Sequence, residues 1–347
     1  MKKKKWFGFI LVLVGLLVVS ACQADEEEDT RGRTDGDDTQ NEDRLDVITT
    51  LYPLAFFANE IGGEYINATS ILPSGSDAHT YEPTSKTMIE IAEADLFIYN
   101  EQTSESYAEN IEASLSGESV TFLEAAEGIE LITYLHDHED EHDDEDDHAE
   151  DEHEDEDEHS DDDAHDDEDA GGDVDGHVWL SPTSSIELSE NIMTALIELA
   201  PEHEAAFREG FAALKVRLEA LDQDFHDTID GLDDKTILVT HAAYNYWARD
   251  FGIEQIAVSG LSPSNEPSQR QLIEILDLVE NQNLNYILFE QNITSQVSEV
   301  ITEEANLEVR QLHNISTLTS DDEANNEDYF SLMERNLAVL EEVLMNK

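Results

Sequence analysis

The sequence predicts an α/β protein made of two α/β lobes joined by a long rigid linking helix, with a ligand site in the cleft between the lobes. Short apolar runs rich in β-branched residues alternate with amphipathic helical segments, which is the pattern of a parallel sheet covered by helices. This alternation occurs twice along the 347 residues, and a long helical pattern separates the two occurrences. Two lobes of ordinary size are therefore the simplest architecture for this chain.

The first alternation defines the N-terminal lobe. Its predicted strands are Leu45–Thr50, Ala68–Leu72, Leu96–Tyr99 and Val120–Leu123, and its predicted helices are Ser85–Ala94 and Ser106–Leu115. The second alternation defines the C-terminal lobe. Its predicted strands are Thr236–Thr240, Ile256–Val258, Tyr286–Phe289 and Val309–Leu312, and its helices lie at about 268–281, 295–305 and 326–345.

Between the lobes, apolar side chains recur every three or four residues and so share one face of a helix. They are Phe207, Phe211, Leu214, Leu218, Leu221, Phe225 and Ile229. A helix from Glu202 to Asp230 would be about 43 Å long at roughly 1.5 Å per residue, enough to contact both lobes. Such a helix restricts hinge closure. The predicted domains are residues 45–180 (N-terminal lobe), 181–232 (helical linker) and 233–347 (C-terminal lobe).

The first residues predict export and anchoring. A basic segment, Lys2 to Lys5, precedes an apolar run, Trp6 to Val19, and the one cysteine of the chain, Cys22, follows closely. This order resembles a bacterial lipoprotein signal, in which residues 1–21 are removed and Cys22 is lipidated. The alternative is an uncleaved anchor, although the run is short for a bilayer span. Residues 22–44 are then an acidic tether.

The charge excludes some partners. The chain has 84 acidic and 17 basic residues and a formal net charge of −67, so it would repel nucleic acid. Beyond the predicted signal, its lysines are Lys86, Lys215, Lys235 and Lys347. Because salt screens repulsion between like charges, we infer that the protein works in a saline or alkaline medium.

A segment without any hydrophobic residue larger than alanine interrupts the N-terminal lobe. Residues 136–169 contain 7 histidines, 24 acidic residues and three others, and the wider insertion at 136–176 is predicted to be disordered. Imidazole is a good ligand for Zn, Cu and Ni, and carboxylates favour any divalent cation. The segment is therefore predicted to be a flexible collector of weakly bound metal rather than only an acidic solubilising loop. Its histidines are His136, His138, His142, His148, His153, His159 and His165.

Four short segments carry the remaining candidate chemistry. They are Leu72–Pro83 around His79, Asp175–Pro182 around His177, Thr240–Tyr244 around His241, and Phe289–Asn292 around Glu290. Three of these side chains lie at or just after the end of a predicted strand. In open α/β sheets, ligands bind outside the carboxyl ends of the strands.

These segments resemble the motifs of the metal-binding solute receptors of bacterial ABC transporters (cluster A-I type), and among them the zinc-specific ZnuA/AdcA lipoproteins. Gly260–Pro263, Glu266–Ser268 and the histidine-rich insertion add to the resemblance, which extends over about Leu45 to Leu344. It implies four metal ligands: His79, His177, His241 and Glu290. Three imidazoles and one carboxylate suit Zn²⁺, whereas Mn²⁺ prefers more oxygen ligands.

The sequence departs from the family pattern at two places. Gly176 stands where proline is frequent, and an Asn-Pro turn is usual around His313-Asn314. His313 follows a predicted strand, and we expect it to lie in an exposed turn rather than to serve as a spare ligand.

The predicted function is capture of extracytoplasmic Zn²⁺ and its delivery to an ABC transporter permease. A zinc ion held by four protein ligands lacks the open position that catalysis needs, so the chain is not expected to be an enzyme. The predicted form is a monomer attached through the Cys22 lipid to the extracellular face of the cell membrane, or to the periplasmic side if the envelope has two membranes. The main alternative is a manganese or iron receptor of the same fold. A zinc-dependent hydrolase and a surface adhesin are less favoured.

Overall fold

Two four-stranded parallel sheets form the frame of the protein. The structure is a computed structural model that describes residues 44–134, 173–291 and 295–346. The strands of the first sheet, β1 to β4, are Leu45–Thr49, Ile66–Ser70, Leu96–Tyr99 and Thr121–Glu124. They lie in the order β2-β1-β3-β4 and all run parallel.

A short antiparallel hairpin and the second sheet follow along the chain. The hairpin pairs β5 (Ile132–Tyr134) with β6 (Asp173–Asp175). The strands of the second sheet, β7 to β10, are Thr236–His241, Glu254–Ser259, Tyr286–Glu290 and Glu308–Leu312. They lie in the order β10-β9-β7-β8 and are again parallel. The two parallel sheets confirm the predicted α/β fold with two lobes.

One inner strand of each sheet is covered on both faces. Every residue of β3 and of β7 is buried. A parallel strand that is buried on both faces is expected to be a continuous apolar run, and the sequences LFIY and TILVTH largely follow that rule. This explains why these two strands were recognisable from the sequence.

Helices cover the sheets and connect them. The helices of the first half, α1 to α3, are Tyr52–Gly62, Ser85–Glu93 and Ser106–Leu115. The connecting helices, α4 and α5, are Pro182–Leu199 and Glu204–Ile229. The helices of the second half, α6 to α10, are Asn245–Phe251, Gln269–Asn281, Gln296–Glu304, Ser320–Asn325 and Tyr329–Met345. None of the helices in the described residues combines the length and the apolar character of a membrane span.

Side-chain caps fix where several helices begin. The hydroxyl of Ser181 accepts a hydrogen bond from the backbone N–H of Ser184, and Pro182 occupies the first turn of α4. Ser268 and Gln271 form a capping box at the start of α7. Each cap satisfies a backbone donor that has no partner inside the helix.

The connection between the sheets contains two helices, α4 and α5. Of the predicted apolar face of α5, Phe211 is only partly buried and the other six side chains are buried. At the end facing the first half, Gly210 lies so close to α1 that a Cβ atom there would be 2.4 Å from the carbonyl oxygen of Ile61. At the other end, Phe225 stacks on Phe251 of α6 with ring centroids 4.9 Å apart. Helix α5 therefore contacts both halves, as its predicted length allows.

Some elements were not predicted from the sequence. They are helices α1, α6 and α9 and the β5–β6 hairpin, and the predicted helix at about 326–345 begins only at Tyr329. Asn326 ends α9 in a left-handed conformation with φ 56°, and Asp328 caps α10. These polar residues separate α9 from α10.

Candidate metal centre

Three histidines from separate parts of the chain meet at one place. One nitrogen from each of His79, His177 and His241 lies within 4.8 Å of the corresponding nitrogens of the other two. The ring centroids are 5.2 Å apart for His79 and His177, 5.6 Å for His79 and His241, and 5.3 Å for His177 and His241. The three rings therefore surround a common point.

The spacing of two of these nitrogens suits a tetrahedral metal ion. Nε2 of His241 lies 3.4 Å from Nε2 of His177. Two nitrogens that each lie about 2.0–2.1 Å from a tetrahedral zinc ion are themselves about 3.4 Å apart. These two nitrogens are thus already separated by a distance that suits zinc coordination.

His241 and Glu290 come from neighbouring strands of the second sheet. His241 is the last residue of β7 and Glu290 is the last residue of β9, which pairs with β7. Because parallel strands end at the same edge of a sheet, the two side chains become neighbours. His241 is fully buried, and Glu290 is 3% exposed.

His177 is held by the carboxylate of Asp175. The residue follows β6 and precedes a single turn of 3₁₀ helix, Val178–Leu180. Its Nδ1 lies 2.8 Å from Oδ1 of Asp175, which also accepts the backbone N–H of His177 at 2.9 Å. A metal-binding histidine commonly donates its second ring nitrogen to a carboxylate, which fixes the ring and leaves Nε2 for the metal.

His79 lies in a turn of the loop that follows β2. Its backbone N–H donates to Oδ1 of Asp77 at 3.0 Å. Earlier in the same loop, the backbone N–H of Gly75 donates to the carbonyl oxygen of Leu318 in the second half of the chain. The loop that carries His79 is therefore attached to both halves of the protein.

The carboxylate of Glu290 faces His241 rather than the centre of the three rings. Its Oε1 lies 2.5 Å from Nδ1 of His241. Despite this short contact, the two buried atoms do not have the geometry of a hydrogen bond. Such a pair of unsatisfied donor and acceptor atoms is costly unless a proton or a cation completes it. The hydroxyl of Tyr244 lies near the same carboxylate, and burial and the charge of Glu290 together raise the pKa of Tyr244.

Burial and neighbouring charges change the protonation of two of the histidines. Burial, together with the adjacent His177 and His241, lowers the pKa of His79 to about 2, so that its ring is neutral at physiological pH. Burial opposes protonation of His177 as well, but the charge and the hydrogen bond of Asp175, followed by the charge of Glu290, raise its pKa. Neutral imidazole is the form that binds a metal ion.

The donor set therefore suits a borderline metal ion such as Zn²⁺. Three imidazole nitrogens converge, a carboxylate lies beside one of them, and two buried polar atoms lack a hydrogen bond. Mn²⁺, Mg²⁺ and Ca²⁺ prefer sites with more oxygen ligands.

The expectation for His313 was wrong. His313 is 2% exposed and does not lie in an exposed turn. Its Nε2 lies 3.0 Å from Oδ2 of Asp322, and its Nδ1 accepts the backbone N–H of Ile315 at 2.9 Å. Both ring nitrogens are thus engaged inside the protein, which leaves neither for a metal ion.

Two residues beside the cluster were overlooked as supporting groups. Asp175 holds His177, and Asn314 donates from Nδ2 to Oε2 of Glu290 at 2.6 Å. Asp175 could have been recognised from the sequence, because it lies only two residues before a candidate histidine. Asn314 could not, because it is 24 residues from Glu290 in the chain.

Other predicted sites lie outside the described residues. They are Cys22 and the collector histidines His136, His138, His142, His148, His153, His159 and His165. Their proposed roles remain predictions.

Known proteins that this chain resembles include zinc-uptake and zinc-binding proteins. A family described as zinc-uptake complex component A, periplasmic, matches residues 47–343. The zinc-binding lipoprotein AdcA of Streptococcus pneumoniae is 31% identical over 309 residues, which are 87% of this chain and 56% of that protein. The chain thus spans about half the length of the first curated relatives it matches.

A relative of similar length and a solved structure complete the comparison. The high-affinity zinc uptake system protein ZnuA of Bacillus subtilis is 28% identical over 344 residues, 99% of either chain. The crystal structure of the Zn(II)-bound ZnuA-like domain of Streptococcus pneumoniae AdcA superposes with a TM-score of 0.68 at 28% identity. That superposition covers 87% of this chain and 99% of the other.

Proposed function

The chain belongs to the zinc-uptake component A (ZnuA) family, and on that premise we propose that it captures Zn²⁺ outside the cytoplasm and delivers the ion to an ABC transporter permease. The observation that carries this proposal is the convergence of His79, His177 and His241, whose nitrogens lie within 4.8 Å of one another. The relatives named above as zinc-binding and zinc-uptake proteins support the same metal.

We propose Glu290 as the fourth member of the site. Its Oε1 is buried, lacks a hydrogen bond and lies next to His241. To bind the ion, this oxygen would have to turn from Nδ1 of His241 towards the point between the three rings. Four protein ligands then saturate a tetrahedral zinc ion and leave no position for a substrate, which favours a binding protein over an enzyme.

The arrangement of the ligands supports reversible capture. His79 lies in a loop of the first half, His241 and Glu290 come from the second sheet, and His177 lies between them in the chain. We therefore place the ion in the cleft between the proposed lobes, residues 45–180 and 233–347. Because α5 contacts both halves, release would proceed by local movement of the His79 loop rather than by a wide hinge motion.

The cellular setting is part of the proposal. Lipidation of Cys22 would hold a monomer at the extracellular face of the membrane, and residues 22–44 would act as its tether. Signals of this kind are recognised by their basic, apolar and cysteine-containing order.

Metal binding by single variants tests the site. We expect His79→Ala, His177→Ala, His241→Ala and Glu290→Ala each to weaken the tight zinc equivalent sharply in calorimetric titration, because each leaves an incomplete tetrahedron. His203→Ala and His226→Ala are matched controls. His203 stacks on Tyr65, and His226 pairs with Asp230 on α5, both away from the three rings.

Three measurements distinguish the proposed zinc receptor from the alternatives. Wild-type affinity in any one site variant would remove that residue from the ligand set. Elemental analysis after dialysis against mixed Zn²⁺ and Mn²⁺ distinguishes a zinc receptor from a manganese receptor. If the zinc-loaded protein hydrolyses any of a panel of chromogenic esters and phosphates, the result would favour a hydrolase over a binding protein.

A further inference from the structure

The two carboxylate oxygens of Glu290 have different surroundings. Oε1 faces His241 and has no hydrogen bond. Oε2 accepts a hydrogen bond of 2.6 Å from Nδ2 of Asn314. Because Glu290 and Asn314 are 3% and 6% exposed, bulk water does not compete for this bond. Asn314 therefore holds Oε2, whereas Oε1 lies against His241.

The orientation of the Asn314 amide is fixed by the backbone. The N–H of Asn314 donates to Oε1 of Gln291 at 3.1 Å. That contact identifies the opposite atom of the Gln291 amide as Nε2, which donates to Oδ1 of Asn314 at 2.7 Å. Nδ2 must then be the Asn314 atom that faces Glu290, since a reversed amide would place two donors or two acceptors in contact.

Further donors reinforce the same orientation. Oδ1 of Asn314 also accepts the backbone N–H of Ser316 at 3.1 Å and the Ser316 hydroxyl at 2.9 Å. Three donors thus converge on this oxygen. Rotation of the amide would break all three contacts in a buried position, which is strongly unfavourable.

The turn that carries Asn314 is clamped on its other side. The carboxamide of Asn336 accepts the backbone N–H of His313 at 2.7 Å and donates to its carbonyl oxygen at 2.8 Å. The His313 ring accepts the N–H of Ile315 and contacts Asp322. Ile315 has φ 62°, a left-handed conformation that is unusual for a β-branched residue. The surrounding contacts hold the backbone in this conformation.

We propose that Asn314 is a specificity-determining positioning residue, which retains Oε2 of Glu290 so that the carboxylate presents only one oxygen to the histidine cluster. The inference rests on the proposed zinc site. A carboxylate limited to one oxygen completes a four-coordinate ion with three imidazoles, as Zn²⁺ requires. It withholds the second oxygen from ions such as Mn²⁺, which prefer a higher number of oxygen ligands.

The test compares Asn314→Asp with Asn191→Asp in the full chain. Asp at position 314 keeps an oxygen for Gln291 and Ser316 but replaces the donor to Glu290 with a second acceptor. At position 191 the same change removes an amide donor that binds the carbonyl oxygens of Ala125 and Glu127, on another part of the protein. Both variants retain residues 136–169, so weak binding to that segment is the same in each.

Two readouts are expected to change in Asn314→Asp and not in the control Asn191→Asp. The ratio of Zn²⁺ to Mn²⁺ affinity should fall about 10- to 100-fold, the usual effect of removing a group that supports a metal ligand. With half an equivalent of Co²⁺, the intense visible absorption of a four-coordinate ion should weaken as additional oxygens enter the coordination sphere. Asn314→Ala should show the same direction of change, since it also frees Oε2.

The possible results are distinct. An unchanged ratio in both Asn314 variants, or an equal loss of Zn²⁺ and Mn²⁺ affinity, would overturn the inference while the zinc site stands. Loss of folding in both Asn314 variants would also overturn it, because the residue would then act only in the fold. A wild-type protein without a tight zinc equivalent would overturn the proposed function and this inference together.

Discussion

Oδ1 of Asp175 lies 2.8 Å from Nδ1 of His177, and both side chains are almost completely buried. The contact sets the ring so that Nε2 points to Nε2 of His241, 3.4 Å away. On its other side, Asp175 accepts a hydrogen bond from Nδ2 of Asn245 through Oδ2 at 2.8 Å. Both carboxylate oxygens of Asp175 are thus engaged, one with His177 and the other with Asn245, and Asp175 supports the three-histidine cluster without being part of it.

Replacement of Asp175 by asparagine should weaken zinc binding about 10- to 100-fold, the usual effect of losing a carboxylate behind a metal-binding histidine. The amide is uncharged and would place its NH₂ group against Asn245. Calorimetric titration measures the effect. Asp173→Asn removes the same charge from an exposed position of the same strand and should bind zinc normally. Equal affinity in both variants would show that Asp175 does not tune the site.

The resemblance to the receptor motifs, rather than any periodic pattern, implied Glu290 and the three histidines of the cluster as ligands, and the structure brings those histidines together. His241 and Glu290 each end an apolar strand, which agrees with a role at the site but does not by itself identify a ligand. Asn314 and His313 were not predictable as buried supporting groups, because their partners, Glu290 and Asp322, are distant in the chain or on another element. Hydrogen bonds between elements leave no periodic pattern in a sequence.

The fold was predictable to a similar extent from its apolar patterns. The strands β3 and β7 are continuous apolar runs, and α5 has a regular apolar face. Helix α1 was missed because YPLAFFANEIG is apolar on almost all sides and has little helical periodicity. Seven of its residues are buried, so packing rather than amphipathic pattern defines it.

The backbone N–H of Asn314 gives a physical reason for one departure from the family pattern. Proline has no N–H to donate. The N–H of Asn314 donates to Oε1 of Gln291 at 3.1 Å. An Asn-Pro turn in place of His313-Asn314 would lose this hydrogen bond.

Deletion of residues 136–169 should leave one tight zinc equivalent per chain and remove the weaker ones. The three histidines of the cluster and Glu290 lie outside that segment. Imidazole has a pKa near 6.5 and protons compete with metal, so the weaker equivalents of the intact chain should also be released as the pH falls towards 5. Titration calorimetry of both chains measures these equivalents. Disappearance of the tight equivalent together with the segment would assign the segment to the primary site.

Salt should stabilise the metal-free protein. A net charge of −67 produces self-repulsion that extends over a longer distance when ions are scarce. The thermal midpoint should therefore rise between 0.01 and 1 M NaCl, as measured by circular dichroism. Sucrose of equal osmolarity is the control for effects that do not depend on charge. A midpoint that does not respond to NaCl would contradict the inferred saline or alkaline setting.

Glu105 should make the stability depend on pH. Burial raises its pKa from 4.5 to about 7, although hydrogen bonds from the backbone of Asn100 and the hydroxyl of Thr50 oppose the shift. The folded protein therefore holds this proton more tightly than the unfolded chain, and stability falls as the pH rises from about 4.5 to about 7. The loss is on the order of 3 kcal/mol at about 1.4 kcal/mol per pKa unit.

Glu105→Gln removes this titration. The variant should gain stability relative to the native chain as the pH rises from 5 to 8, in urea unfolding of the metal-free proteins. Glu118→Gln, at an exposed position, is the matched control and should not show the gain. A constant difference between Glu105→Gln and the native chain across this range would contradict the assignment.

The three clustered histidines have a consequence for the order of events during folding. His177 and His241 are 64 positions apart, and His79 lies in the chain still further from His241. No short segment can reproduce this cluster, and closing such long loops is opposed by chain entropy until tertiary contacts compensate for it. The tight site therefore forms only after both sheets have assembled. If the chain is exported unfolded, as the proposed lipoprotein signal implies, it would reach its destination with this site still empty, and any metal ion bound there would come from that destination.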